Sequence, residues 1–306
     1  MLRCFLSLLL AGSLSAAVVI TRDGSRIRVE IDGQPFTDLY FGPDSPKPYL
    51  HPLRAPSGKI VTRRFPMEQV PGETTTDQHH RGLWLGYGNI NGFNFWETEF
   101  SYNNPKAGKV VTKAIDQTES GAIGKIAGRF DWLSPSGEVL LEEARTMLFH
   151  SGAGPRIVDF DITLKAVAKT TFGDSKDGFF AIRVAEPLNE RHSGALLNSE
   201  GGRAMAQTWG KPANWVDYSG DLDGEKLGIA LFEHPSSFHY PPRWHVRDYG
   251  LLAANPFAAN AFDKQLAESS VVLQPGQTVH LRYRVVIHGV ASPADLAGWY
   301  RDYVKQ

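Results

Sequence analysis

The sequence predicts an all-β fold, a large antiparallel β-sandwich closed by a C-terminal helix. Run after run alternates polar and apolar residues with a period of two, turn dipeptides separate the runs, and convincing helical spacing occurs only near the C-terminus. Half-wet antiparallel strands produce that alternation, because successive side chains point to opposite faces.

The first element is a targeting segment. Met1 to Ala17 sets Arg3 ahead of the apolar run Cys4–Leu10, then places small residues up to Ser15-Ala16-Ala17. That is the layout of a secretory signal peptide, with cleavage expected before Val18 and a periplasmic or secreted product. The run is too short to span a bilayer, which needs ~20 apolar residues. The remainder, 18–306, shows no compositional shift marking a linker and reads as one β-sandwich domain.

Arg26-Ile27-Arg28-Val29-Glu30-Ile31 then alternates strictly between Asp23-Gly24 and Asp32-Gly33, both favourable in tight hairpins. Pro56-Ser57-Gly58 separates Tyr49–Leu53 from Lys59–Arg63, and Pro135-Ser136-Gly137 separates Lys125–Leu133 from Glu138–Phe149. Val158, Phe160, Ile162 and Leu164 form one face of a later strand, and Pro275-Gly276 predicts a hairpin joining Ser270–Leu273 to Thr278–Ile287. Ser292 suits a helix cap, Pro293 the first helical position and Asp295 the first turn. Leu296, Trp299, Tyr300 and Tyr303 follow at helical spacing, a face for packing on the sandwich.

The balance of charges narrows the functional classes. Lys+Arg 32 against Asp+Glu 33 gives a net charge of −1, which excludes a basic nucleic-acid footprint or a polybasic membrane patch. The single cysteine, Cys4, lies in the targeting segment, so the processed chain has neither a thiol nucleophile nor a disulfide. There is no Gly-x-Ser-x-Gly elbow, no phosphate loop, and no dinucleotide fingerprint in strand–helix context.

Three polar, aromatic segments interrupt the strand pattern. The first, Thr76–Trp84 continuing to Asn89–Glu97, holds His79, His80, Arg81, Trp84, Trp96 and Glu97; in an extended chain the two histidine rings would point to opposite faces. The second runs from Gly194 to Gly220, where Trp215, Asp217 and Ser219 would share a strand face and Trp209 or Trp215 could floor a site. The third, His234–Arg247 with Asn255-Pro256-Phe257, is stiffened by prolines and puts His245 and Arg247 on one face. Zinc spacings such as His-Glu-x-x-His are absent, so a metal would have to be assembled from distant histidines, and none is expected.

At these segments the chain resembles the PmoA-like family of bacterial proteins, labelled methane oxygenase PmoA or a domain of unknown function. The resemblance rests on Lys47–Leu53, His79-His80-Arg81-Gly82-Leu83-Trp84, Asn91-Gly92 with Phe95-Trp96, Trp209-Gly210-Lys211, Trp215–Tyr218, and Trp244–Arg247 with Asn255-Pro256-Phe257. Family members often carry another His before the pair, where this chain has Asp77-Gln78, which weighs against a histidine-cluster metal. The label implies an integral-membrane oxygenase, which a chain without a spanning segment does not match. The strand pattern looks instead like the supersandwich of galactose mutarotase-like proteins, a likeness of fold and not of function.

These residues together suggest an exported carbohydrate-active enzyme using acid–base chemistry, by lysis, epimerisation or hydrolysis, on a glycan or modified sugar. His80 and His245 are the expected acid–base groups, with Asp217 or Glu97 as orienting carboxylate. Arg81, Arg247 and Asn255 would bind polar groups of the substrate, and Trp96 or Trp244 would stack on a sugar ring. No cofactor, nucleic acid or membrane partner is expected. The alternatives are a non-catalytic sugar-binding module and a metal-dependent oxygenase.

Overall fold

The computed structural model describes residues 17–306. The export signal expected over residues 1–17 lies, but for Ala17, outside them. In chain order the elements are β1 (Val18–Asp23), β2 (Arg26–Ile31), β3 (Gln34–Tyr40), β4 (Tyr49–His51), β5 (Leu83–Tyr87), β6 (Lys109–Glu119), β7 (Ile123–Leu133), β8 (Val139–His150), β9 (Arg156–Ala166), β10 (Thr170–Gly173), β11 (Gly178–Arg183), β12 (Ala195–Asn198), α1 (Ala204–Thr208), β13 (Trp215–Leu222), β14 (Glu225–Glu233), β15 (Arg243–Arg247), β16 (Leu251–Asn255), β17 (Ser270–Leu273), β18 (Thr278–His288) and α2 (Pro293–Tyr303).

Two eight-stranded antiparallel sheets form the sandwich. The first runs β1-β2-β3-β4-β5-β11-β16-β15 and the second β12-β13-β14-β18-β9-β8-β7-β6, with β10 and β17 as a separate ribbon. The all-β expectation therefore holds. The predicted strand Arg26–Ile31 is β2, and the turn at Pro135-Ser136-Gly137 joins β7 to β8. One pairing differs: β17 pairs with β10, while β18 pairs with β9 and β14, so Pro275-Gly276 links two sheets and is not a hairpin tip. A turn dipeptide reports the reversal of the chain, whereas the partner is chosen by long-range packing.

The inner faces share one core. Ile27, Val29, Leu85 and Ile182 of the first sheet meet Ile126, Phe130, Ile162 and Val285 of the second. Phe180 bridges them, edge-on to Phe160 at 4.7 Å and stacked on Tyr283 at 4.4 Å. The C-terminal helix forms as its cap residues require. Ser292 Oγ accepts from Asp295 N–H at 3.2 Å, and Asp295 Oδ2 accepts from Ser292 N–H at 2.8 Å, a capping box. Leu296, Tyr300 and Tyr303 then bury against Trp215, Ala230, Phe232 and Val286 on the outer face of the second sheet.

Candidate functional site on the outer face of the first sheet

The other outer face, that of the first sheet, is not covered by α2, and the short α1 packs beside it, at β15. Strand register places His245, Ala253, Ala181, Trp84 and Tyr49 in one row across five strands, and Arg247, Leu251 and Arg183 in the next. Ala181 and Ala253 are the small members, and the shallow floor they leave is filled from above by Trp96. Trp96 is held by a buried lysine: Lys47 Nζ donates to the Trp96 carbonyl at 3.0 Å and to Thr98 Oγ1 at 3.2 Å, and lies 5.8 Å from the Trp84 ring. Burial pushes the Lys47 ammonium down to about 7.

The histidine pair enters on a turn, not a strand. Asp77 adopts φ 51°, His80 N–H returns to the Asp77 carbonyl at 3.0 Å, and Arg63 ties the loop by donating to the Thr74, Thr76 and Asp77 carbonyls. Both rings therefore point into the same cluster, 4.2 Å apart and edge to face, where an extended chain would have split them. His80 is clamped between Trp84 (5.1 Å) and Tyr249 (6.4 Å), near-parallel to both. His245 stacks on Trp96 at 6.0 Å and meets the edge of Trp209 at 5.0 Å. His80 and His245 thus flank one tryptophan, with rings within 6.0 Å of it.

Their partners assign tautomers. Arg183 Nη1, which can only donate, lies 3.2 Å from His80 Nδ1, so in the neutral ring the proton sits on Nε2. His245 Nδ1 is buried without a hydrogen-bond partner, and the Asp177 carboxylate, itself paired with Lys176, lies 3.7 Å away, which favours a proton on Nδ1 and a lone pair on Nε2. The Nε2 atoms of His79, His80 and His245 have no hydrogen-bond partner among the described residues, and the three side chains are nearly enclosed, at 4, 2 and 2% exposed. Burial, reinforced by neighbouring cations, pushes all three imidazoles down, His79 to about 2, so all are neutral at pH 7.

Asp77, His79 and His80 offer three ligand atoms within 4.8 Å of one another, the one such cluster among the described residues. A ligating imidazole normally gives its second N–H to a carboxylate or carbonyl. His80 instead receives a guanidinium N–H, which commits Nε2 to being a donor, and Arg63, Arg183 and Lys47 crowd the cluster with positive charge. The donor set does not fit a metal.

The remaining expected site residues fall elsewhere. Trp244 alternates inward with Val246, is fully buried, and gives its indole N–H to the Ala213 carbonyl at 2.9 Å. Trp96 lies in the cluster with its ring packed by Trp84, His80 and His245, so it supports the histidines and does not stack on a ligand. The half-buried Trp209 is the available face. Asp217 is on the second sheet, bonded to His288 at 2.9 Å. Glu97 is exposed and accepts from Asn94 at 3.3 Å, away from both histidines. Arg81 is spent on a bidentate pair with Glu99, at 2.9 and 2.6 Å. Asn255 is fully used: its amide donates to the Ser175 and Lys176 carbonyls, and its oxygen accepts from Phe257 and Ala258. It holds the loop that carries Asp177. Arg247 does reach the site, its guanidinium 4.2 Å from the Trp209 ring.

Sequence reasoning passed over Asp177, Arg183, Lys47 and Tyr249. The polar run Asp174-Ser175-Lys176-Asp177-Gly178 before a β-rich segment was a signal of the kind already used for the other loops. Arg183 and Lys47 carried none, since a buried cation looks like any surface one in sequence. A separate cleft of about 510 Å³ is lined by Arg54, Lys59, Arg64, Glu73, Glu186 and His192 among others. Its charges are largely spent on the protein: Glu73 accepts from the Arg64 and Phe65 amides, and Lys59 donates to the Leu222 and Asp223 carbonyls.

The chain matches a family of unknown function, DUF6807, over residues 26–300 and belongs to it. This corrects the resemblance to a PmoA-like family, because nothing in the match links the chain to a methane oxygenase. No curated protein matches the sequence. Among solved structures it is similar to the GH36 alpha-galactosidase AgaA from Geobacillus stearothermophilus, at 9% identity and TM-score 0.42, covering 90% of this chain and 41% of that one. It is also similar to a glycoside hydrolase family 97 enzyme from Pseudoalteromonas sp. strain K8 (8%, 0.36, 89% and 34%). A third similar structure is a polysaccharide lyase (12%, 0.39, 86% and 34%). The chain spans about two fifths or less of the length of these proteins, and the functional argument rests on its own site.

Proposed function

We propose that the outer face of the first sheet binds a carbohydrate and acts on it by acid–base chemistry, with His245 as the base. The observation that carries this reading is the placement of two histidines against Trp96 with different polar neighbours, a guanidinium at His80 and a carboxylate 3.7 Å from His245. His245 would present a lone pair on Nε2, with the Lys176-paired Asp177 carboxylate 3.7 Å from its other nitrogen. His80 presents an N–H on Nε2, fixed by Arg183, and suits a hydrogen bond to a substrate oxygen. Half-buried Trp209, Tyr249 and Phe262 supply the flat apolar surface a sugar ring requires. Burial keeps His245 neutral but also makes it a weak base, so the half-buried Trp209 and Phe262 beside it must move aside to admit substrate.

Screening the pure protein against oligosaccharides and oxidised sugars by mass spectrometry tests the reading. His245→Ala is expected to lower turnover ~10²–10⁴-fold. Binding retained with no product from any sugar would support the sugar-binding module, which the Arg247–Trp209 platform would serve equally well. Export with cleavage after Ala17 completes the proposal. The intact mass of the secreted protein tests that part, and a retained Met1 would refute it.

A further inference from the structure

Arg247 differs from the other cations near the site. Arg183 is engaged with His80 and Thr74, Lys176 pairs with Asp177 at 2.6 Å, Arg191 pairs bidentately with Asp248, and Arg81 pairs with Glu99. Arg247 has no hydrogen bond or ion pair through its side chain with any described residue. Its guanidinium nonetheless sits over the Trp209 ring, 4.2 Å from the centroid, and Trp209 meets His245 at 5.0 Å. The backbone beneath is fixed as well, since the Tyr218 hydroxyl donates to the Arg247 carbonyl. A half-buried, unpaired guanidinium offers a planar fork for a bidentate acid group.

Resting on the carbohydrate reading above, we propose that the substrate is a uronate-containing glycan, that Arg247 binds the carboxylate, and that the reaction is β-elimination with His245 as base. Arg247 and His245 are two residues apart on one face of β15, so a carboxylate on Arg247 brings the adjacent C5 of the uronate toward His245. His245 Nε2 takes the C5 proton, whose acidity the neighbouring carboxylate raises. The electron pair of that C–H bond forms the C4=C5 double bond as the C4–O glycosidic bond breaks. The His245 imidazolium, disfavoured by burial and by Lys176, returns the same proton to the departing oxygen. The histidine ends neutral, and no water, oxidant or metal is consumed. Arg247 neutralises the charge that builds on the carboxylate as the proton leaves, an electrostatic contribution aimed at the transition state. His80 Nε2–H and His79 donate to substrate hydroxyls and do not transfer protons, because a neutral imidazole is too weak an acid.

The test uses the full chain with 4-linked uronans, their carboxyl-reduced neutral counterparts, and sulfated neutral glycans. Product is read as the ultraviolet absorbance of the conjugated double bond and as fragment mass without added water. Uronan cleavage giving the unsaturated product is expected. Arg247→Gln should lower kcat/KM on uronan at least ~10²-fold while the melting temperature holds, and Arg247→Lys should restore only part. Cleavage or binding of neutral glycans that needs His245 but ignores Arg247 would overturn the uronate proposal and leave the acid–base reading standing. Binding of sulfated glycans through Arg247 without the double bond would overturn it too. Should no glycan of any kind bind, the carbohydrate reading itself falls.

Discussion

On the outer face of the second sheet, His288 gives one ring N–H to the Asp217 carboxylate at 2.9 Å and the other to the Gly289 carbonyl at 2.7 Å. Trp299 of α2 packs on its ring at 5.5 Å, and Gly228 passes so close that a Cβ there would lie 2.3 Å from Cε1. Despite its burial, the hydrogen bond and charge of Asp217 hold this imidazole above its ordinary pKa. On the outer face of the first sheet, three histidines of similar burial are held below theirs. Burial alone does not set a histidine's charge. A carboxylate at hydrogen-bond distance with a second acceptor makes a structural cation, whereas a guanidinium partner or a more distant carboxylate leaves a neutral ring with an open nitrogen.

That contrast can be broken from either side. The largest effect is expected at the sealed face. Asp217→Asn removes the partner that favours the charged His288, which then loses its proton, and should cost about 1.5–3 kcal/mol, read from denaturant midpoints. A loss below about 1 kcal/mol would mean the pair is not coupled to folding. Deleting residues 292–306 should go further and abolish cooperative unfolding, because Trp215, Phe232 and Val286 would lose their cover.

The second effect depends on pH, with opposite signs on the two faces. His288 has a raised folded pKa, so its contribution is complete below the unfolded value of ~6.5 and is lost as pH rises through the folded value. His288→Gln should therefore cost more stability at pH 5 than at pH 8. His79, His80 and His245 have lowered folded pKa values, so acidification below ~6.5 protonates the unfolded chain preferentially and removes stability. His80→Gln should flatten the decline between pH 7 and pH 5. An unchanged slope in both variants would refute the assigned charge states. Proton-detected histidine titrations check them directly: one ring should titrate above the usual range, and three should remain neutral at pH 5.

The smallest stability effect is expected at the open face. His245→Gln, which keeps most of the side-chain volume between Trp96 and Trp209, should change stability by about 1 kcal/mol or less, since the ring makes no hydrogen bond and Trp96 remains held by Lys47. Lys47→Met, by contrast, should loosen Trp96, seen as a red shift and quenching of tryptophan emission. Unchanged fluorescence would remove Lys47 from any positioning role.

Sequence reasoning succeeded where the deciding interactions are local. The strict alternation of Arg26–Ile31 and the cap at Ser292 appear in the structure residue for residue, because neighbouring positions supply both the pattern and the hydrogen bonds. Parity within one strand was equally legible, which is why His245 and Arg247 do share a face. Parity does not say which face is inward, and Trp244 was read as a platform although its indole is core. It also does not say which sheet a strand joins. Asp217 lies on a strand face as expected, but that strand is in the second sheet, where only the fold could pair it with His288. The composition of the chain determined its alternation, its turns, its helix cap and the absence of a thiol after Cys4. Tertiary structure alone decided that His80 meets Arg183 while His245 meets Asp177, since these partners come from strands and loops about seventy to a hundred residues away, and a proton follows its nearest partner, not its neighbour in sequence.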